Sequence, residues 1–218
     1  MKNFKHTIHQ YVWIFLIAFL GLGIIYPRIG AVALICMLAP VFVAFFKGRA
    51  WCGTYCPRGS FNDVILAKFS FKGKVPTLLR STWFRLTFLV LLMSAFAIQL
   101  TLAWGDPVAT GRVFLRMIII TTLITLILGF IYQPRTWCQI CPMGTIAHYV
   151  TKWRSQTTRP SQITFNQAAC VGCKICTKNC PINIEVHSYK KAGRVTHPDC
   201  LKCNQCVAKC PKKALSSQ

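Results

Sequence analysis

The sequence predicts an α-helical membrane domain of four transmembrane helices, arranged as two parallel hairpin repeats, followed by a small cysteine-rich α+β domain. Three observations carry this reading. Four apolar stretches are each long enough to cross a bilayer. A Cys-Pro motif recurs after the second and the fourth of them. Two runs of four cysteines lie near the C-terminus. Of 218 residues, 54% are hydrophobic, which excludes disorder. The chain has 26 Lys+Arg against 4 Asp+Glu, a formal charge of +22. Asp63, Asp106, Glu185 and Asp199 are all the acids present, too few for an ordinary acid–base enzyme. Because the apolar residues come in long blocks, the charge reads as membrane topology, and no nucleic-acid partner is expected.

The apolar stretches run over residues 9–26, 30–46, 83–104 and 113–132. Each holds about 17–22 residues, enough to cross a hydrocarbon core of roughly 30 Å. Lys2 and Lys5 precede the first, as in a signal peptide, but its length and the span that follows argue for a retained helix. Charge sets the orientation. One side carries Lys2, Lys5, Lys47, Arg49, Arg58, Lys68, Lys72, Lys74, Arg80, Arg85, Arg135, Lys152 and Arg154. The other carries only Arg28, Arg112 and Arg116. Positive flanks stay inside, so a multi-pass protein of the cytoplasmic (inner) membrane is expected, with both termini cytoplasmic. Membrane lipid with anionic headgroups is the matching partner. Trp13, Trp83 and Trp104 fit an aromatic belt. Pro40 is expected to kink the second span, and Cys36 to be a lone buried thiol. Thr121, Thr122 and Thr125 read as helix-packing residues of the fourth span.

The motif after span two reads Arg49-Ala50-Trp51-Cys52-Gly53-Thr54-Tyr55-Cys56-Pro57-Arg58-Gly59-Ser60. The motif after span four reads Arg135-Thr136-Trp137-Cys138-Gln139-Ile140-Cys141-Pro142-Met143-Gly144-Thr145. Arg, Trp, Cys, Cys, Pro, Gly and a hydroxyl residue recur in order, with C-x3-C in one and C-x2-C in the other. Two hairpins related by an axis along the membrane normal would bring Cys52, Cys56, Cys138 and Cys141 to one cytoplasmic face. Helices are expected from Ser60 to about Phe69 and from Thr145 to about Trp153, with the hydroxyl residues as N-caps. Helix N-termini and nearby Arg49, Arg58 and Arg135 would lower the thiol pKa values. Four such thiols are a candidate redox or third metal site. They can ligate a metal or an iron–sulfur cluster, or cycle between dithiol and disulfide; inert structural turns are the alternative.

A polar linker is expected over residues 152–162, dividing a membrane domain (1–154) from a C-terminal domain (155–218). There Cys170-x2-Cys173-x2-Cys176-x3-Cys180-Pro181 is followed by Cys200-x2-Cys203-x2-Cys206-x3-Cys210-Pro211. This is the spacing of a bacterial-type dicluster ferredoxin, in which the fourth cysteine of each run ligates the other cluster. Cys170, Cys173, Cys176 and Cys210 are therefore assigned to one [4Fe–4S] cluster, and Cys200, Cys203, Cys206 and Cys180 to a second. Zinc favours separated pairs, and disulfides do not persist in a reducing compartment. Pro181 and Pro211 break helix, and Gly172 permits close backbone approach. So short a domain depends on its clusters for stability. Residues 184–186 and 195–196 read as short strands around a turn at Gly193. Lys190, Lys191 and Arg194 read as solvated, with docking of an acidic donor as the alternative. His187 and His197 read as surface residues. His148 reads as interfacial, with a proton-accepting role near a quinone as the alternative. His6 and His9 carry still less signal.

With these motifs in place, residues 9–214 resemble the membrane-bound polyferredoxins typified by NapH, the quinol dehydrogenase component of periplasmic nitrate reduction. Related modules occur in NosR and in CcoG, which reduces copper. The family pattern has C-x3-C-P in both membrane motifs; Cys52 and Cys56 fit it, whereas Cys138 and Cys141 are one residue short. The resemblance implies an electron-transfer subunit of a respiratory oxidoreductase complex, passing electrons between a quinone pool or membrane partner and two cytoplasmic [4Fe–4S] clusters. Other respiratory or redox subunits are the implied partners. A copper or metal reductase serving enzyme maturation is the second expectation, and a redox-sensing membrane protein the third.

Overall fold

The computed structural model describes residues 2–71, 73–157 and 163–217, with side chains over 7–71, 73–154 and 163–217. Four helices are long and apolar enough to cross a membrane: Thr7–Ile25, Pro27–Lys47, Thr82–Leu102 and Pro107–Ile131. The first lies in α1 (Lys2–Ile25). The second opens as a 3-10 turn (Pro27–Val32) and continues as α2 (Ala33–Lys47), which runs through the buried Pro40. In the most apolar window of each, only 6–28% of residues are buried. Ile24, Ile35, Phe42, Leu91 and Leu102 stand exposed, which a lipid solvent rewards and water does not.

Two short helices follow α2: α3 (Ala50–Thr54) and α4 (Pro57–Phe61). A π-helical turn (Asn62–Leu66) and α5 (Ala67–Phe69) prolong α4. Then come α6 (Thr77–Arg80), α7 (Thr82–Leu102) and α8 (Pro107–Ile131), whose N-terminus Asp106 caps by accepting from the Val108 N–H at 2.8 Å. Next are α9 (Thr136–Ile140) and α10 (Pro142–Thr157). The helices expected at Ser60 and Thr145 start three residues earlier. Pro57 and Pro142 open them, a position where the missing proline N–H costs nothing. The Ser60 and Thr145 N–H groups donate to the Cys56 and Cys141 carbonyls, so the cysteines occupy the capping positions. The Ser60 hydroxyl instead donates to the His9 carbonyl. Part of the stretch expected as a linker over residues 152–162 is helical, since α10 runs to Thr157, and residues 158–162 lie outside the described residues.

Backbones meet closely where α8 crosses the 3-10 turn. A Cβ on Gly111 would strike the Pro27 carbonyl oxygen, and one on Gly30 the Gly111 carbonyl oxygen. Small residues at such a crossing let dispersion contacts replace the missing hydrophobic drive. Gly111→Val is expected to cost about 1–3 kcal/mol by overpacking. A detergent melting curve matching wild type would contradict this. As expected, Thr121 and Thr125 return their hydroxyls to their own helix, to Met117 and Thr121 carbonyls at 2.7 Å.

Past residue 162 the chain forms a three-stranded antiparallel sheet in the order β2 (Arg194–Val195), β1 (Ile163–Phe165), β3 (Leu215–Ser217). Residues 184–186 are not a strand: Val186 opens a 3-10 turn (Val186–Lys190), and β2 pairs with β1 instead. Two one-turn helices, α11 (Ile175–Lys178) and α12 (Gln205–Ala208), sit in the two cysteine runs. The runs share a backbone. Left-handed residues recur thirty positions apart, as Gly172 and Lys202, Lys174 and Asn204, Asn183 and Lys213. The core is small: Ile163, Phe165, Ile182, Ile184, Val186, Val195, Leu201 and Leu215, joined by Cys52 from α3.

Candidate iron–sulfur centres

The eight C-terminal cysteines line two separate small cavities of about 20 Å³ each. One is bounded by Cys170, Cys173, Cys176 and Cys210. The other is bounded by Cys180, Cys200, Cys203 and Cys206. Each draws three cysteines from one run and the fourth from the other. The chain can do this because Cys180-Pro181 and Cys210-Pro211 end their helical turns and lead across to the facing half. Burial, with the neighbouring Cys203, Cys200, Cys180 and Cys176 thiols adding at Cys206, pushes the free Cys203 and Cys206 thiols up to about 12. Among the described residues no three His, Cys, Asp or Glu side chains are close enough to hold one metal ion. A tetrahedral zinc with bonds of roughly 2.3 Å would need thiolates about 3.8 Å apart. Four cysteines spread around a cavity suit the separated iron corners of a cubane instead.

A third cavity, of about 150 Å³, opens between α1, α2 and α8, and Cys52, Cys56, Cys138 and Cys141 all line it. Cys36 reaches its apolar wall as well, so it is not isolated from the other membrane cysteines. Arg49 lines its polar side and Arg135 lies behind Cys138, each 1% exposed and each crossing to the other motif. Arg49 donates to the Cys138 carbonyl at 2.6 Å, and Arg135 to the Cys52 carbonyl at 2.7 Å. A Cβ on Gly144 would stand 2.5 Å from Arg49 Nη2, and one on Gly59 2.6 Å from Arg135 Nη1. The glycine after each Cys-Pro therefore makes room for the arginine of the opposite motif. Arg58 stacks over Trp137 at 5.5 Å and donates to Thr121 Oγ1 at 2.9 Å.

Carboxylates anchor both arginines. Arg135 donates to both Asp63 oxygens, at 2.8 and 2.6 Å, and His9 Nε2 lies 2.9 Å from Asp63. Arg49 meets Asp199 at 2.5 Å, with Arg85 at 2.9 Å and His148 at 2.9 Å on the same carboxylate. Burial alone would raise the Asp63 pKa, but Arg135 and His9 hold it well below the usual carboxylate range. Such a depressed pKa gives stability that is complete above the unfolded value of about 3.9 and is lost as pH falls through the folded value. The functional sequence signal missed here was position 63 against position 148. The first motif places a carboxylate where the second places an imidazole, and His9 and Asp199 supply the complements.

Cys52 and Cys56 are not activated as the sequence suggested. Burial raises Cys52, and it pushes Cys56 up to about 12, outweighing Arg49, Arg135 and the Gly59 N–H. Burial of this kind favours the protonated form of Cys52 and Cys56. The two motifs also differ in surroundings. A Cβ on Gly53 would strike the Leu201 carbonyl oxygen, so the longer first turn receives the loop that carries Cys200 and Cys203. The shorter second turn is enclosed, with Gln139 and Ile140 buried. Burial raises Cys200 and Cys203 too, and Arg49 opposes the rise at Cys200 as at Cys52, Arg135 that at Cys203 as at Cys56. The arginine pair thus stands between the membrane cysteines and one of the two C-terminal cavities. His148, expected at a lipid interface, is part of this junction. His197 is also drawn in, accepting from the Asp199 N–H at 3.1 Å.

Comparison with known proteins agrees with this geometry. A family model described as a 4Fe-4S binding domain matches twice, at residues 29–76 and 113–160. A second, described as a 4Fe-4S dicluster domain, matches residues 169–215. The chain therefore carries ferredoxin-type 4Fe–4S domains. It is 26% identical over 206 residues to "Uncharacterized protein MJ0749" of Methanocaldococcus jannaschii, covering 92% of this chain and 76% of that protein. It is 28% identical over 205 residues to "Putative electron transport protein YccM" of Escherichia coli, covering 85% of this chain and 55% of that protein. No solved structure matches the chain.

Proposed function

We propose that this chain is a membrane-bound iron–sulfur protein that carries electrons between a quinone or redox subunit at the membrane and a cytoplasmic acceptor or donor. The observation that carries the proposal is the pair of four-cysteine cavities with exchanged fourth ligands. Cys170, Cys173, Cys176 and Cys210 would hold one cluster, and Cys180, Cys200, Cys203 and Cys206 the other. A bound [4Fe–4S] cluster supplies a one-electron redox centre whose potential follows its charge, hydrogen bonds and burial. The protein side is a matter of placement. Leu201 seats against Gly53, and Asp199 ties α2's end, α7 and α10 to the cysteine loop, so the second cavity is held at the membrane motifs. The basic flanks of the four spans support a cytoplasmic location for this end. The printed name of the Escherichia coli relative, an electron transport protein, supports the same role.

Iron and acid-labile sulfide on anaerobically purified full chain, with EPR of the reduced sample, tests the proposal. At least about eight irons and the signals of two interacting cubanes are expected. About four irons or fewer, or a reduced sample without cubane signals, would contradict it.

A further inference from the structure

We infer that Cys52, Cys56, Cys138 and Cys141 form a single third [4Fe–4S] site, shared between the two membrane motifs and charge-balanced by the crossed arginines Arg49 and Arg135. Both matched membrane segments are described as 4Fe–4S binding domains, yet each contributes only two cysteines from its Cys-Pro motif. A cubane takes four thiolates. Neither motif supplies them alone, and all four thiols face one cavity. Room is not limiting: this cavity is about 150 Å³, against about 20 Å³ for each of the C-terminal pair. Those smaller cavities are spaces of the kind into which the chain already directs four cysteines.

Charge points the same way. Arg49 and Arg135 are fully enclosed, and Arg135 Nη1 lies 3.6 Å from Cys138 Sγ. Arg58 adds a third cation on the cavity wall. Asp63 and Asp199 offset only part of this, and Asp199 also serves Arg85. These guanidinium groups outnumber the carboxylates that face them, and a buried positive excess is costly in a low-dielectric site. An oxidised cubane with four thiolates is a dianion and removes that excess. Binding replaces four S–H bonds by four S–Fe bonds and releases four protons. The glycines at 59 and 144 have their place in this design, since each lets the opposite guanidinium reach the site. A single ion fits less well, because no three of the thiols converge on one point.

The inference rests on the iron–sulfur reading above, and the test separates the two. Full-length wild type, purified anaerobically in detergent, is expected to hold about twelve irons per chain. Cys52→Ser/Cys138→Ser should fall to about eight while the EPR signals of the interacting C-terminal pair persist. Arg58→Gln keeps all four thiols, and it serves if the double variant fails to fold. It should keep about twelve irons and lower the midpoint of the extra centre alone, because a positive charge is lost beside it. A wild-type count of about eight, unchanged in the double variant, would overturn the shared site and leave the C-terminal clusters standing. An extra centre whose midpoint does not move in Arg58→Gln would likewise place it elsewhere.

Discussion

Asp199→Asn is expected to cost about 3–5 kcal/mol and to release the C-terminal region from the helices. The carboxylate receives Arg49 at 2.5 Å and Arg85 at 2.9 and 3.1 Å, and His148 lies at 2.9 Å. Burial would raise its pKa, but His148, Arg49 and Arg85 hold it well below the usual carboxylate range. An amide cannot offset Arg49, which has 1% exposure and no solvent to turn to. The loss is that of a buried charge left without its partner. Two other polar ties across this junction are weaker: Arg80 to the Asn183 carbonyl at 3.1 Å, and Asn183 to Gln133 at 2.7 Å. Hydrogen exchange should quicken over residues 199–204 and 49–54, and the melting temperature in detergent should fall. Unchanged exchange in both segments would show that the carboxylate is not the anchor.

Stripping the iron should unfold residues 163–217 and spare the four long helices. The C-terminal core consists of eight aliphatic or aromatic residues and three strands of two or three residues. Five non-glycine residues there hold positive φ: Lys174, Asn183, Lys202, Asn204 and Lys213. Each costs about 1–2 kcal/mol relative to ordinary backbone. A core of this size does not repay that without the metal bonds proposed for its eight cysteines. Anaerobic chelation should abolish amide protection in β1, β2 and β3 and leave far-UV helical signal nearly intact. Protection that survives chelation would mean that the region folds by packing alone.

The four spans were legible because lipid imposes a simple demand, about twenty apolar residues with every backbone group bonded inside the helix. The cysteine runs were legible because their spacing follows cluster geometry. What the sequence concealed was long-range pairing. Nothing local marks Ile163–Phe165 as the centre of a sheet, and Ile184–Val186 has the composition of a strand but turns to close over the cysteines. The crossed arginines were equally hidden, since the repeat shows each motif complete in itself while each arginine serves the other. One clue was available. In a chain of four acids, each carboxylate is rare enough to ask for its purpose, and three of them answer: Asp63 and Asp199 neutralise buried arginines, and Asp106 caps α8.

The proposed electron transfer requires the membrane cysteine cavity and the C-terminal cysteine cavities to work as one path, held in register by Asp199 and Leu201. Stopped-flow reoxidation of the dithionite-reduced full chain in nanodiscs, with menadione as the lipid-soluble oxidant, tests it most directly. Rapid recovery of cluster absorbance is expected in wild type. Recovery slower by at least about tenfold, about 1.4 kcal/mol in barrier, is expected in both Asp199→Asn and Cys52→Ser/Cys138→Ser. Equal rates in all three proteins would contradict it.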